Sequence, residues 1–332
     1  MSPVTTARAL SLAAGFLLAP ALGGAAIAAD PPAPPAEVPA AAGPKPVIDF
    51  SLGARYQTDY NFRGVSQSDR RGSVQTFFEA QYFDNLLYTG MATYQTRLPT
   101  RPDMEFDLIA GIRPKFDKFT FDLAIYYYNY PNERRAFLVD ATGAPFYATT
   151  ANSDFYEGGG KVSYAYDDNL VLGAALFHSP NFFGTHAIST YAAGNFAYTL
   201  SPEMFPTLPA SLVGGLTISG EVGHFTLTSA KNSTTGFNAD IGRFNSFNLP
   251  SYWYGNVGVS YAYKNLLLDL RYHTAGLDRR ECFALTGDLR GFSNGGTSRW
   301  CGDAVIGSIT WQLSTATPGI YSEPAGILGF FR

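Results

Sequence analysis

Charge is scarce in this chain. Asp, Glu, Lys and Arg make up 15% of its 332 residues, against roughly a quarter in soluble domains. Cysteine is scarcer still, with Cys282 and Cys301 the only two, so the chain is not a disulfide scaffold. After the first thirty residues, no stretch reaches the ~18 consecutive apolar residues of a spanning helix, which excludes a helical membrane protein. No G-x-S-x-G nucleophile motif occurs. The four histidines, His178, His186, His224 and His273, are scattered. His178 and Ser179 adjoin, which on a strand puts them on opposite faces and defeats a local dyad. An enzyme is therefore not expected, nor a cofactor, and with no His or third Cys near either cysteine no metal is expected. A net charge of −4 offers no support for a nucleic-acid partner.

What the chain has in quantity is aromatic and small residues: 21 Tyr, 26 Phe and 34 Gly. It opens with Arg8, an apolar run from Ala9 to Ala19, and small residues ending in Ala26-Ile27-Ala28-Ala29. A basic start, an apolar middle and an A-x-A site describe a secretory signal peptide over residues 1–29. Pro20 and Gly23-Gly24 interrupt the run before the length of a membrane anchor. Residues 30–46 are rich in Pro and Ala, and proline at that density reads as a semi-extended linker.

From Val47 onward the hydrophobicity alternates with period two, the signature of strands. Ile48, Phe50, Leu52, Ala54, Tyr56, Tyr60 and Phe62 share one face; Asp49, Ser51, Gly53, Arg55, Gln57, Asp59, Asn61 and Arg63 share the other. The same pattern recurs over Met104–Arg113, Phe119–Tyr127 and Leu266–His273. It suits a soluble sandwich as well as a transmembrane barrel with apolar residues toward lipid. Three features favour the barrel. The segments are near the ~9–11 residues of a tilted membrane strand. Short turns (Asp84-Asn85, Pro114–Lys118, Asp167–Asn169, Lys264-Asn265) alternate with long loops (Gly64–Gly72, Pro131–Asp154, Thr226–Pro250, Ala275–Asp303), as bacterial outer-membrane barrels require. Thr199–Ala210 is the exception, long where a short turn is expected. Aromatics gather at segment ends, in Tyr126-Tyr127-Tyr128-Asn129-Tyr130, Tyr56 with Tyr60, Tyr164 with Tyr166 and Tyr261 with Tyr263, which suits the headgroup level of a bilayer.

The fold class expected is all-β, a transmembrane antiparallel barrel of about twelve strands over residues 47–313. Strands are predicted to start near Val47, Ser73, Leu87, Met104, Phe119, Phe155, Leu170, His186, Ser211, Tyr252, Leu266 and Asp303. Gly158-Gly159-Gly160 breaks the alternation and is expected to mark a bulge or tight corner. Residues 314–332 form a C-terminal extension with no evident role.

Asp59-Tyr60-Asn61-Phe62-Arg63-Gly64-Val65-Ser66-Gln67-Ser68-Asp69 resembles the N-terminal signature of the TorF-type porins, an outer-membrane family. Glu105–Gly111, Tyr126–Pro131 and Phe177–Gly184 look like further family stretches, so the resemblance runs from about Val47 to Leu313. It implies a barrel of the bacterial outer membrane with channel activity.

The candidate site is the lumen-facing set Arg55, Asp59, Arg63, Glu79, Glu105, Asp107, Arg113, Asp122, Glu221, Asp269 and Arg271. Charges on an inner face set the field that a permeating solute feels, yet opposite charges on neighbouring strands also pair and fill a lumen. Asp59 and Arg63 lie four apart, ~13 Å along a strand, so Arg63 is expected to pair with a carboxylate such as Glu79 or Glu105. Cys282 and Cys301 fall in the last long loop, where a disulfide in an oxidising compartment is expected. Two functions stay open. One is a porin-like channel for passive diffusion of small hydrophilic solutes or ions across outer-membrane lipid. The other is a non-conducting structural or adhesive barrel whose long loops bind partners. A homo-oligomer stays open too, since no segment marks a subunit interface.

Overall fold

The structure, a computed structural model, describes residues 47–315 apart from 140–142, 144, 150–151, 231–236, 239–242 and 245–246. The expected signal peptide, the linker and all but the start of the C-terminal extension lie outside the described residues.

Twelve antiparallel strands form one sheet. In chain order they are β1 (Ile48–Gln57), β2 (Ser73–Tyr82), β3 (Leu87–Tyr94), β4 (Glu105–Ile112), β5 (Phe119–Asn129), β6 (Phe155–Ala165), β7 (Leu170–Phe182), β8 (Ala187–Thr199), β9 (Leu216–Leu227), β10 (Tyr252–Tyr263), β11 (Leu266–Ala275) and β12 (Ala304–Ser314). Each pairs with its neighbours in sequence. The sheet closes through β1 and β12, from Ser51 opposite Ser314 to Gln57 opposite Ser308. No helix of the described residues is long and apolar enough to cross a membrane; the crossings are made by strands, and closure leaves no open edge, as a bilayer demands.

Alternation decides the two faces. On β1 Ser51, Gly53, Arg55 and Gln57 are buried while Phe50, Leu52 and Tyr56 are exposed. On the outside, Ile125, Val222 and Leu270 are each more than 60% exposed, and Leu108, Leu123 and Leu176 are exposed among them. A soluble protein does not leave a continuous apolar surface of that kind in water. The ambiguity between sandwich and barrel is thus resolved: apolar residues face lipid and polar ones face the lumen. Tyr56, Tyr156 and Trp253 are exposed near the ends of strands beside the long loops, Tyr166 and Tyr263 near the opposite ends. These are two belts at headgroup height.

Several expectations are corrected. Tyr60 and Phe62 are not on the lipid face; β1 ends at Gln57 and both rings are buried inside. In Tyr126-Tyr127-Tyr128-Asn129-Tyr130, the rings of Tyr126, Tyr128 and Tyr130 are buried and make no belt. The glycine run of β6 is no bulge, because its register with both neighbours is regular. A Cβ on Gly159 would lie 2.1 Å from the Phe177 ring and one on Gly160 2.6 Å from Leu123, so large neighbours lie across bare backbone there. The strand expected from Ser211 begins at Leu216, preceded by the short helix α1 (Ala210–Val213) in the one long connection at the short-turn end.

Leu270 sits midway along β11, and Leu270→Arg would bury a charge near the bilayer midplane. A loss of about 2–4 kcal/mol of folding free energy is expected, read as a lower urea midpoint for refolding into lipid vesicles. Arg at the neighbouring inward position, Arg271, is native and tolerated because it faces polar groups.

Candidate functional site

The connection after β1 does not project outward. Asn61–Phe62 and Val65–Ser66 pair as a two-stranded hairpin, and its central residues Arg63 and Gly64 have φ of 49° and 88°. Positive φ at both central residues is the mark of a type I′ turn. Holding the non-glycine Arg63 there costs on the order of 1 kcal/mol. Gly64 admits no side chain: a Cβ would lie 2.5 Å from that of Ala275 on β11.

The first motif of the sequence is the construction of this hairpin. Asp59 accepts hydrogen bonds from Ser66 Oγ at 2.5 Å and Ser68 Oγ at 2.9 Å and an ion pair from Arg70 at 3.3 Å. Burial pushes the Asp59 carboxyl up, against these bonds and the Arg70 charge. Asn61 Oδ1 accepts from the Gly64 amide at 2.8 Å. Arg70 in turn donates to the carbonyls of Arg299 and Cys301, and Trp300 Nε1 donates to Asp69 at 2.8 Å. The hairpin is therefore bound at its base to the last loop, where Cys282 and Cys301 are disulfide-bonded with Cα atoms 5.7 Å apart. That loop also carries the helix α2 (Arg279–Thr286), opened by an Asp278 capping box.

At its tip the hairpin crosses the lumen. Arg63 donates to both carboxylate oxygens of Glu157 on β6, at 2.8 and 2.9 Å. Glu157 has no exposed surface and Arg63 is 7% exposed. The guanidinium lies 4.4 Å from the ring centre of Tyr191, 4.6 Å from Phe62 and 4.9 Å from Phe225. Tyr252 on β10 donates to the Arg63 carbonyl at 3.0 Å. A segment leaving β1 thus touches β6, β8, β9 and β10, most of them across the barrel. A bidentate pair inside an aromatic box is the arrangement in which a buried arginine is best compensated.

Arg63 does not pair with Glu79 or Glu105, as expected from sequence. The positive-φ turn ends the extended geometry on which that expectation rested, and carries the side chain to the opposite wall. Glu79 instead takes Arg113 at 2.7 and 2.8 Å. Arg113 also reaches Asp122 at 3.2 Å and lies over the Tyr88 ring at 3.5 Å. Glu105 accepts from Tyr60 at 2.6 Å, and Glu221 from Tyr191 at 2.6 Å. Arg271 binds Asp269, Asn256 and Ser219, and Arg55 donates to Thr310 at 2.8 Å. All eleven sequence-picked residues, including Asp107, lie on the lumen side, buried or half-buried. They form separate clusters rather than one ring. His273, the histidine of the inner wall on β11, hydrogen-bonds Tyr254.

Glu157 and the aromatics around Arg63 were not among the sequence candidates. Glu157 precedes the glycine run that broke the alternation, so its face was not assigned. The usable signal is that Glu157 and Lys161 are the only charges on β6 and lie four apart; a charge on a membrane strand faces the lumen.

Residues 41–202, just under half of the chain, match a family described as "Bacterial protein of unknown function (Gcw_chp)". That description carries no porin name, and the TorF-type resemblance is not what it states. No curated protein matches. Among solved structures the chain is similar to a KdgM porin at 9% identity and a TM-score of 0.41, over 79% of this chain and 98% of that one. It is also similar to OccAB3 of Acinetobacter baumannii (8%, 0.38, over 81% and 65%) and to OpdK of Pseudomonas aeruginosa (11%, 0.37, over 80% and 67%). A closed antiparallel barrel with an apolar outside and two aromatic belts places the chain in the bacterial outer membrane.

Arg63→Met alone leaves the Glu157 carboxylate buried and unpaired, and should cost about 3–5 kcal/mol. The double variant Arg63→Met, Glu157→Leu should recover most of that loss. Urea unfolding of the vesicle-reconstituted protein measures both; equal midpoints for the single and double variants would refute the coupling.

Proposed function

We propose that this protein is a narrow porin-like channel for passive diffusion of small hydrophilic solutes or ions, constricted by the Arg63 hairpin. The observation that carries this reading is a group of buried polar atoms that have no hydrogen-bond partner among the described residues. Gln57 Nε2, Gln75 Nε2 and Oε1, Thr96 Oγ1 and Asp107 Oδ1 are such atoms, and they belong to β1, β2, β4 and the segment just after β3, along one stretch of wall. Buried polar groups of native proteins are satisfied by protein or by water. Their concentration along this wall supports reading it as the side on which water, and small solutes with it, pass beside the hairpin. The motif resemblance to TorF-type porins supports the same reading.

A second reading, a non-conducting structural barrel, draws on the pairing of Arg63 with Glu157 and of Arg113 with Glu79, which fills the lumen with compensated charge. Single-channel recording separates the two. The wild-type protein in planar bilayers should give reproducible small steps, and Gly64→Val, which cannot hold the turn against Ala275, should give larger ones. Silence from both wild type and Gly64→Val, with barrels intact by circular dichroism, refutes the channel.

A further inference from the structure

Above the hairpin, on the long-loop side, lies an apolar cavity of about 100 Å³. It is walled by Phe62, Leu98, Ala148, Phe183, Leu249 and Trp300, one residue from each of the six connections at that end of the barrel. A space built by six separate loops is not a packing defect between two neighbours. Its size is of the order of the ~150 Å³ apolar cavity that takes up benzene.

The chemistry of the wall narrows what fits. None of the described residues lining the cavity is charged. Among the described residues, two of its polar groups are buried without a partner: Gln67 Oε1 and Thr100 Oγ1, on side chains 5% and 4% exposed. Gln67 Nε2 is engaged with the Val65 carbonyl at 3.3 Å, which leaves the amide oxygen to accept. Thr100 Oγ1 can accept or donate. An unmet acceptor and an unmet hydroxyl in a largely apolar wall with six aromatic rings call for a ligand with one hydrogen-bonding group on an apolar ring. A carboxylate would enter without a cation to meet it, at the desolvation cost of an unpaired buried charge.

We infer that the outer vestibule is a binding site for a small uncharged aromatic molecule bearing a hydroxyl group. Phe62, Phe225 and Tyr252 line the cavity and also hold Arg63, so the occupant sits directly over the constriction. The site does not depend on conduction, and a binding assay reports on it separately from the channel reading.

The test uses the full chain in lipid nanodiscs, with 4-methylphenol, toluene and benzoate as probes and the fluorescence of Trp300 as the signal. Trp253 and Trp311 face lipid, so a Trp300→Phe variant supplies the background. 4-Methylphenol is expected to give a saturable change that Trp300→Phe abolishes, and benzoate none. Toluene, or 4-methylphenol with Thr100→Val, should bind about 3- to 10-fold more weakly, as the loss of one net hydrogen bond implies. Ala148→Leu, which puts bulk into the cavity, should remove binding while Gln67→Met weakens it. The inference is overturned if the 4-methylphenol signal does not saturate, survives in Ala148→Leu, or is matched by benzoate. Binding without channel steps would keep this site and refute the channel; steps without binding would do the reverse.

Discussion

Lipid cannot hydrogen-bond a peptide group, and everything else in this molecule follows from meeting that constraint. Seven residue pairs between β1 and β12 close the sheet, so no strand edge is left to the bilayer. Once closed, the sheet has an outside that must be apolar and an inside that need not be. The twelve strands then sort their side chains by parity alone. The charged residues of β1, β2, β4, β5, β6, β9 and β11 end up together in a lumen where water is limited and most of them take a partner.

That crowding explains why the lumen is organised as clusters. Arg113 is shared between Glu79 and Asp122, Arg271 is held by Asp269 and two neutral acceptors, and Arg63 is clasped by Glu157. A buried arginine tolerates this because its planar fork satisfies two carboxylate oxygens at once and its faces stack on rings. The hairpin carrying Arg63 does more than pair a charge. It ties β1 to the far wall at its tip and to the disulfide-bonded last loop at its base, so the outer connections form one cap over the lumen. Among the described residues, some of the buried polar atoms without a protein partner lie beside it, on the β1–β4 wall, and two lie above it, in the vestibule. The two proposals grow from these two groups: conduction from the first and recognition from the second.

Most of the architecture was legible in the chain. Period-two alternation, loop lengths sorted by end and the even spacing of strands located eleven of the twelve strand starts to within about a residue. The miss at Ser211 arose where a short helix precedes the strand, since four helical residues carry no periodic signal. The candidate site was legible in part. Strand parity put the charged residues of β1, β2, β4, β5, β9 and β11 on the lumen side, because a membrane strand allows them no other face, while the hairpin carries Asp59 and Arg63 inside regardless of parity. Their partners were not legible, because which strands face one another across a barrel depends on closure and stagger rather than on any local pattern.

Arg63 shows where the division falls. The sequence by itself determined that Arg63 would leave the lipid, since a guanidinium cannot be exposed to hydrocarbon without a large desolvation cost. It also supplied the Gly64 that a tight turn needs. Only the tertiary structure decided that the chain would reverse there, cross the lumen and place the charge on Glu157 of β6. That choice rests on contacts ninety-four residues apart in sequence, held by a turn of positive φ and a box of aromatic rings drawn from strands that meet only once the barrel is closed.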